Sequence, residues 1–219
     1  MTADKIAEML LAGTGETLLM VLISTAMGYL IGLPLGVVLT VTDSKGISPN
    51  PAIYKTLDAV VNITRSVPFL ILLILIQPLT KLLVGKSYGT LATVVPLTVA
   101  AAPLIARMVE SSLKEVDSGV VEAALSMGAD KRKIVTKVLV PEARISLLIG
   151  VTIALGTILG YSAMAGVVGG GGLGDIAIRY GYYRYETEIM IVTVVVLVIL
   201  MQVLQWTGNL LSKKLDRRK

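Results

Sequence analysis

Five stretches of this chain run without a charged side chain: Thr17–Thr42, Ser66–Thr80, Ser87–Ala106, Ile145–Gly174 and Ile189–Ser212. A bilayer core is about 30 Å thick and a helix needs about 20 mainly apolar residues to cross it. Inside lipid each backbone N–H and C=O must find its partner within the protein, which leaves helices or closed barrels as the spanning elements. The second run is shorter than 20, but it extends back through Ala59–Thr64 with Arg65 as the sole interruption. A long Arg side chain can reach toward the interface from such a place. The runs therefore predict an all-α membrane protein, a single transmembrane domain over residues 1–219. Its five transmembrane helices are expected near 18–41, 59–81, 88–106, 145–167 and 189–210. The first run is not read as a signal peptide, because Asp4, Glu8 and Glu16 precede it with only Lys5 for a basic flank.

Composition agrees with lipid burial and removes whole classes of chemistry. Hydrophobic residues make up 54% and charged ones 16%, with a mean hydropathy of +0.80; soluble domains average about 25% charged. There is no Cys and no His, so disulfides, thiolate or imidazole metal sites and His-based triads are excluded. The net charge of +5 is not a sign of nucleic-acid binding, since basic residues of membrane proteins collect on the cytoplasmic side. Lys45, Lys55 and Arg65, then the Lys and Arg residues of 107–144, then Lys213, Lys214, Arg217, Arg218 and Lys219 fall on one side of the five crossings. Lys5, Lys81, Lys86, Arg179 and Arg184 fall on the other. The asymmetry places the N-terminus outside and the C-terminus in the cytoplasm, with 107–144 as a long cytoplasmic loop.

That loop carries the most specific pattern in the chain. Glu122, Ala123, Ala124 and Gly128 are followed, nine residues on, by a segment that ends Val138-Leu139-Val140-Pro141. The residue types predict two short helices. Asp117 or Ser118 caps the first, Gly128 takes the left-handed position that ends it, Asp130 caps the second, and Pro141 marks a break. Ala123 and Ala124 give the first helix a side of little bulk, and Glu122 sets a charge beside it. An ordinary cytoplasmic helix-turn-helix would carry the same features.

The spacing resembles the EAA loop of bacterial ABC-importer permeases, with Val138 and Val140 in place of the usual Ile and Leu. The resemblance widens to nearly the whole chain. Asn62–Phe69, Val95–Thr98, Ala102–Glu110, Gly160–Gly166, Gly171–Asp175 and Arg179–Tyr182 are similar to the permeases of methionine importers. The resemblance implies the core of a type I ABC importer in the bacterial plasma membrane. It implies a coupling helix at Glu122, Ala123, Ala124, Gly128 and Pro141 that docks in a cytoplasmic ATPase. It also implies a homodimeric pathway, a substrate-binding protein outside, and ATP and Mg bound by the separate ATPase and not by this chain. A substrate path is expected along the fourth helix near Tyr161, Ser162 and Met164.

Other features are less specific. Gly28, Gly32 and Gly36 form a small-residue ladder that predicts close packing within the bundle or across a dimer, with Pro34 bending the helix. Pro68, Pro78, Pro96 and Pro103 fall in or beside membrane segments. Gly166–Gly174 holds six glycines and is expected to be a flexible external turn near a substrate entrance. Its G-x-G-x-x-G match lacks the strand that a dinucleotide fingerprint requires. Gly85-Lys86-Ser87 ends like a phosphate-binding loop, but Thr80 stands where such a loop needs Gly. Asp175, Arg179, Arg184, Glu186 and Glu188 form a charged external loop that could meet a binding protein. Three other readings compete: an ABC permease for another small polar solute, a structural membrane subunit of an enzyme complex, which the EAA spacing counts against, and an ion-coupled carrier. The carrier reading is weakened by the absence of ionisable residues in the runs.

Overall fold

A computed structural model describes residues 3–215 of the chain; Arg217, Arg218 and Lys219 of the basic tail lie outside the described residues. The described residues form helices joined by short turns. The helices α1 (Ala3–Thr42), α5 (Thr90–Lys114), α9 (Arg144–Ala165) and α11 (Thr187–Leu215) are long and apolar enough to cross a membrane. Between α1 and α5 lie α2 (Pro51–Ser66), α3 (Phe69–Leu75) and α4 (Gln77–Val84).

The segment expected as one helix over 59–81 is broken twice. Pro68 disfavours the helical region for the residue before it, and Val67 is extended at φ −78°, ψ 123°. The axis turns by 101° between α2 and α3. Pro78 lacks the N–H that would bond the carbonyl of Ile74. The chain opens at Ile76 (φ −95°, ψ 10°) before α4 begins. Counting a bent pair as one span gives up to five crossings.

α1 and α5 extend by two turns or more beyond their apolar runs. The 40 residues of α1 make a rod of roughly 60 Å, twice the hydrocarbon thickness. α1 runs through Pro34 without interruption. α5 continues two turns past Ala106, because Arg107, Glu110 and Lys114 pair with one another at helical spacing. The connection starting at 107 in the sequence reading therefore leaves its helix at Glu115.

The glycine ladder packs within the chain. Gly28, Gly32 and Gly36 rest against Ala101, Ala102, Ile105, Ala106 and Val109 of α5, closer than any side chain would allow. The main core forms along this seam and between α5 and α9, with Met20, Val21, Leu97, Ile105, Ala154 and Ile158 buried. α11 closes on α9 at Gly156 and Gly208, which meet Met201 and Thr152. Its Ile191, Val194, Val198 and Ile199 are exposed and face outward.

Candidate coupling surface and transport pathway

The loop after α5 folds into α6 (Ser118–Ser126), then a helical run made of α7 (Lys131–Lys133), a π-helical stretch over Ile134–Leu139, and α8 (Val140–Glu142). The Asp117 carboxylate accepts from Gly119 N at 2.8 Å and starts α6. At its end Gly128 adopts φ +78°. Gly128 N donates to Leu125 O, and Ala129 N donates to Ala124 O at 3.0 Å, the paired closing bonds of a left-handed helix stop. Asp130 accepts from Lys133 N at 2.7 Å and caps the next run.

The two alanines part company. Ala124 is buried, 5% exposed, against the bundle, while Ala123 and Glu122 face outward. The low-bulk side is therefore one alanine wide. Val120, Leu125 and Met127 are exposed on the same helix and at its end, so the outward surface of α6 is apolar around a single carboxylate. Pro141 does not end its helix, contrary to the sequence expectation. The π-helical stretch shifts pairing to a residue five back, the helix continues through Pro141, and the chain turns at Ala143 (φ −79°, ψ 0°). A cleft of about 500 Å³ separates α6 from the end of α1, lined by Asp43, Lys45, Ile47, Lys114, Val121 and Glu122 among others.

Behind α6 lies a chain of alternating charges that the sequence reading missed. Asp43 pairs with Lys114 at 2.6 Å, Lys114 with Glu110 at 2.8 Å, Glu110 with Arg107 at 2.5 Å, and Arg107 with Asp58. The Tyr54 hydroxyl donates to Glu110 at 3.2 Å, and the Arg107 guanidinium donates to Asn62. The network ties the α1–α2 turn and α2 to the end of α5. The Lys114 hydrogen bond holds the Asp43 carboxyl down at about 2.

The three path candidates on α9 point three ways. Tyr161 stacks on Phe69 with ring centroids 4.7 Å apart and planes 3° from parallel. Ser162 is 1% exposed and donates to Leu159 O at 2.8 Å within its own helix. Met164 is half exposed. On α5 the buried Thr98 hydroxyl has no partner among the described residues.

The glycine-rich segment is not a flexible turn. Gly170, Leu173 and Gly174 are buried, and Gly166 and Gly174 lack room for a Cβ. Glu16 accepts from Gly172 N at 2.6 Å and Thr17 from Leu173 N at 2.9 Å, so α1 caps α10 (Gly172–Ile176). Thr93 donates to Gly170 O, and Gly89 N to Gly169 O. Beyond it Asp175 pairs with Arg179, and the Arg184 guanidinium lies 4.6 Å over the Tyr180 ring. Burial raises the Asp175 carboxyl above its ordinary range although Arg179 opposes the shift.

Residues 28–219 match the family described as the binding-protein-dependent transport system inner membrane component. The chain belongs to this family. It is 53% identical over 212 residues, 97% of this chain and 94% of the relative, to the probable D-methionine transport system permease protein MetI of Vibrio cholerae. It is 51% identical over 158 residues, 72% of this chain and 73% of the relative, to the D-methionine transport system permease protein MetI of Escherichia coli K12. A chain from a structure titled as inward facing conformations of the MetNI methionine ABC transporter superposes with a TM-score of 0.97. That pair is 46% identical and covers 99% of this chain and 100% of the other. An amino acid ABC transporter chain at 22% identity, with a TM-score of 0.74 and full coverage of both chains, shares the fold.

Proposed function

We propose that this chain is the membrane-spanning permease subunit of an ATP-driven methionine importer, in which a separate ATPase supplies the work and this chain performs no catalysis. The observation that carries the reading is end-to-end identity of 53% with a D-methionine permease. α6 is the coupling helix. Its outward surface of Glu122, Ala123, Leu125 and Met127 docks on the ATPase, and its caps at Asp117 and Gly128 keep it rigid enough to transmit movement. Movement of α6 reaches the bundle through the buried Ala124 and through the charge chain that begins in the wall of the same cleft. Differential contact with two ATPase states then biases the inward-facing arrangement against the outward-facing one.

Two copies of the chain flank the pathway, with Tyr161 and Met164 of α9 toward it and Ser162 behind them. Stacking on Phe69 ties Tyr161 to the break at Pro68, so a shift of α3 moves the ring. Met164 offers a soft, polarizable surface suited to an apolar thioether side chain. The Lys and Arg asymmetry sets the α6 side in the cytoplasm and the N-terminus outside, where Asp175, Arg179 and Arg184 meet a substrate-binding protein.

The test is co-purification with a candidate ATPase and uptake into liposomes by the complex with its binding protein, using D- and L-methionine beside a panel of amino acids. ATP-dependent methionine uptake supports the reading. Uptake of a different solute with none of methionine replaces the substrate and keeps the permease. ATP hydrolysis by this chain alone overturns the division of labour.

A further inference from the structure

We infer that α2 lies in the plane of the membrane on the α6 side, with Ile53, Val60 and Ile63 in the acyl boundary and Lys55 and Arg65 on anionic phospholipid headgroups. Four observations meet here. First, α2 makes an angle of 101° with α3, the apolar segment that follows it. If α3 runs along the bilayer normal, α2 runs across it, and the crossing counted for this bent pair falls to α3 with α4.

Second, α2 sits at interfacial depth. Its Tyr54 and Asp58 bond Glu110 and Arg107. Those residues begin where the uncharged run of α5 ends at Ala106, which is where α5 leaves the hydrocarbon.

Third, α2 has three faces and not two. Tyr54, Leu57, Asp58 and Val61 are turned into the bundle. Ile53, Val60 and Ile63 recur at helical spacing on a second face and are 44%, 55% and 67% exposed. Lys55 and Asn62, seven apart, are exposed on a third, Asn62 while also accepting from Arg107 at the edge of the bundle face. At about 100° per residue these faces are spread around the whole helix. One meets protein, one is apolar and open, and one is polar and open. An in-plane interfacial helix beside a bundle needs those three surroundings.

Fourth, the free charge on α2 has one sign. Its acidic residue Asp58 is bound to Arg107. Lys55 and Arg65 are exposed and make no ion pair among the described residues. Basic residues beside a membrane surface are attracted by anionic lipid. A second copy of this chain covering the same face would have to bury the open apolar stripe while leaving both cations matched.

The chain has no Cys, so single-Cys variants report one position each. I53C, V60C, I63C, K55C and N62C are each spin-labelled in the full-length chain. They are reconstituted in phosphatidylethanolamine–phosphatidylglycerol vesicles, and collision with oxygen is compared with collision with an aqueous nickel chelate. The first three should favour oxygen and the last two nickel. In phosphatidylcholine vesicles the V60C label should become shallower, and K55Q/R65Q should abolish that difference between lipids. Labels at 53, 60 and 63 that meet neither reagent mean a protein covers the face, and the proposal falls. Equal nickel access at all five positions overturns it too, and so does a V60C depth indifferent to both lipid and K55Q/R65Q. An impermeant quencher added outside oriented vesicles reports the leaflet separately. Finding α2 in the outer leaflet would overturn the cytoplasmic placement of α6 and leave the lipid contact standing.

Discussion

Gly32 of α1 lies flush against the carbonyl of Ala102 on α5: a Cβ at Gly32 would stand 2.5 Å from that oxygen. One turn on, Gly36 meets Ala106 in the same way. The obstacle is backbone, so it cannot swing aside. Membrane helices gain association from such van der Waals contact, not from a hydrophobic drive, and α1 and α5 form the most extensive helix pair among the described residues.

Gly32→Ala and Gly36→Ala should each destabilise the protein by about 1–3 kcal/mol, the usual cost of overpacking. Gly15 is in the same helix with no atom within 4 Å of its Cβ position. Gly15→Ala should be neutral or stabilising by about 0.5–1 kcal/mol, since Ala loses less freedom in a helix. Melting curves in detergent decide. An equal drop at all three positions would mean α1 responds to helix composition and not to its contact with α5.

Glu110 should be the most sensitive member of the charge chain. Its side chain is 4% exposed and meets Arg107, Lys114 and Tyr54. Glu110→Gln keeps the shape and removes the charge. The loss should be about 1.5–3 kcal/mol, the range for hydrogen bonds to charged groups. The larger penalty of a fully buried pair does not apply, because Lys114 is 41% exposed. Lys114→Gln should therefore cost less than Glu110→Gln in the same melting assay. The reverse order would place the weight of the network at Asp43 instead.

Asp43 makes a pH prediction with a definite sign. Hydrogen bonding to Lys114 holds its carboxyl at about 2, below the ordinary value of about 4. A lowered carboxyl stabilises the folded state fully above the ordinary value. That contribution is lost as pH falls through the folded one. The difference in melting temperature between the wild type and Asp43→Asn should stay constant from neutral pH to about 5 and close between about 4 and 2. A gap that closes near neutral pH would assign the effect to another group.

The long crossings were legible because hydrophobic length is a local property of the sequence. The broken second span was not, since a run counts apolar residues and ignores dihedral angles; Pro68 and Pro78 held the missing signal. The first fourteen residues of α1 were invisible to the same count, because Asp4, Glu8 and Glu16 interrupt apolarity without interrupting a helix. The ends of α6 and the start of α7 could be read from Asp117, Gly128 and Asp130, where the capping bonds reach two to five residues. The glycine-rich segment could not. What orders it is Glu16 and Thr17, some 156 positions away in sequence, and composition alone made it look loose. The charge chain falls between these cases. Arg107, Glu110 and Lys114 show helical spacing, but Asp43 joins them only once α1 packs along α5, and Asp58 only once α2 folds back on it.

The coupling role of α6 makes the sharpest prediction. Gly128 holds φ +78° with nothing within 4 Å of its Cβ position. A side chain there meets no clash with a neighbour, and the strain is in the backbone alone. Gly128→Val puts a β-branched residue in the left-handed region, where it is strongly disfavoured, so the closing bonds from Gly128 and Ala129 to the helix should open. Gly128→Asn, which tolerates that region better, should retain them and serve as the control. Glu122→Lys leaves α6 intact and reverses the one charge among its outward apolar residues, which turns an attractive contact with a complementary partner into a repulsive one. Both Gly128→Val and Glu122→Lys should insert in the membrane normally; Glu122→Lys should melt within about 1 kcal/mol of the wild type, as surface substitutions usually do, and Gly128→Val should lose about 1–3 kcal/mol, the cost of a strained backbone position. Both should lose ATPase association or coupled uptake by tenfold or more, with Gly128→Asn close to wild type. The measurements are co-purification, uptake and insertion, taken on the same preparations. Wild-type association and uptake in both variants would reduce α6 to a connector, and the work of the ATPase would have to enter elsewhere.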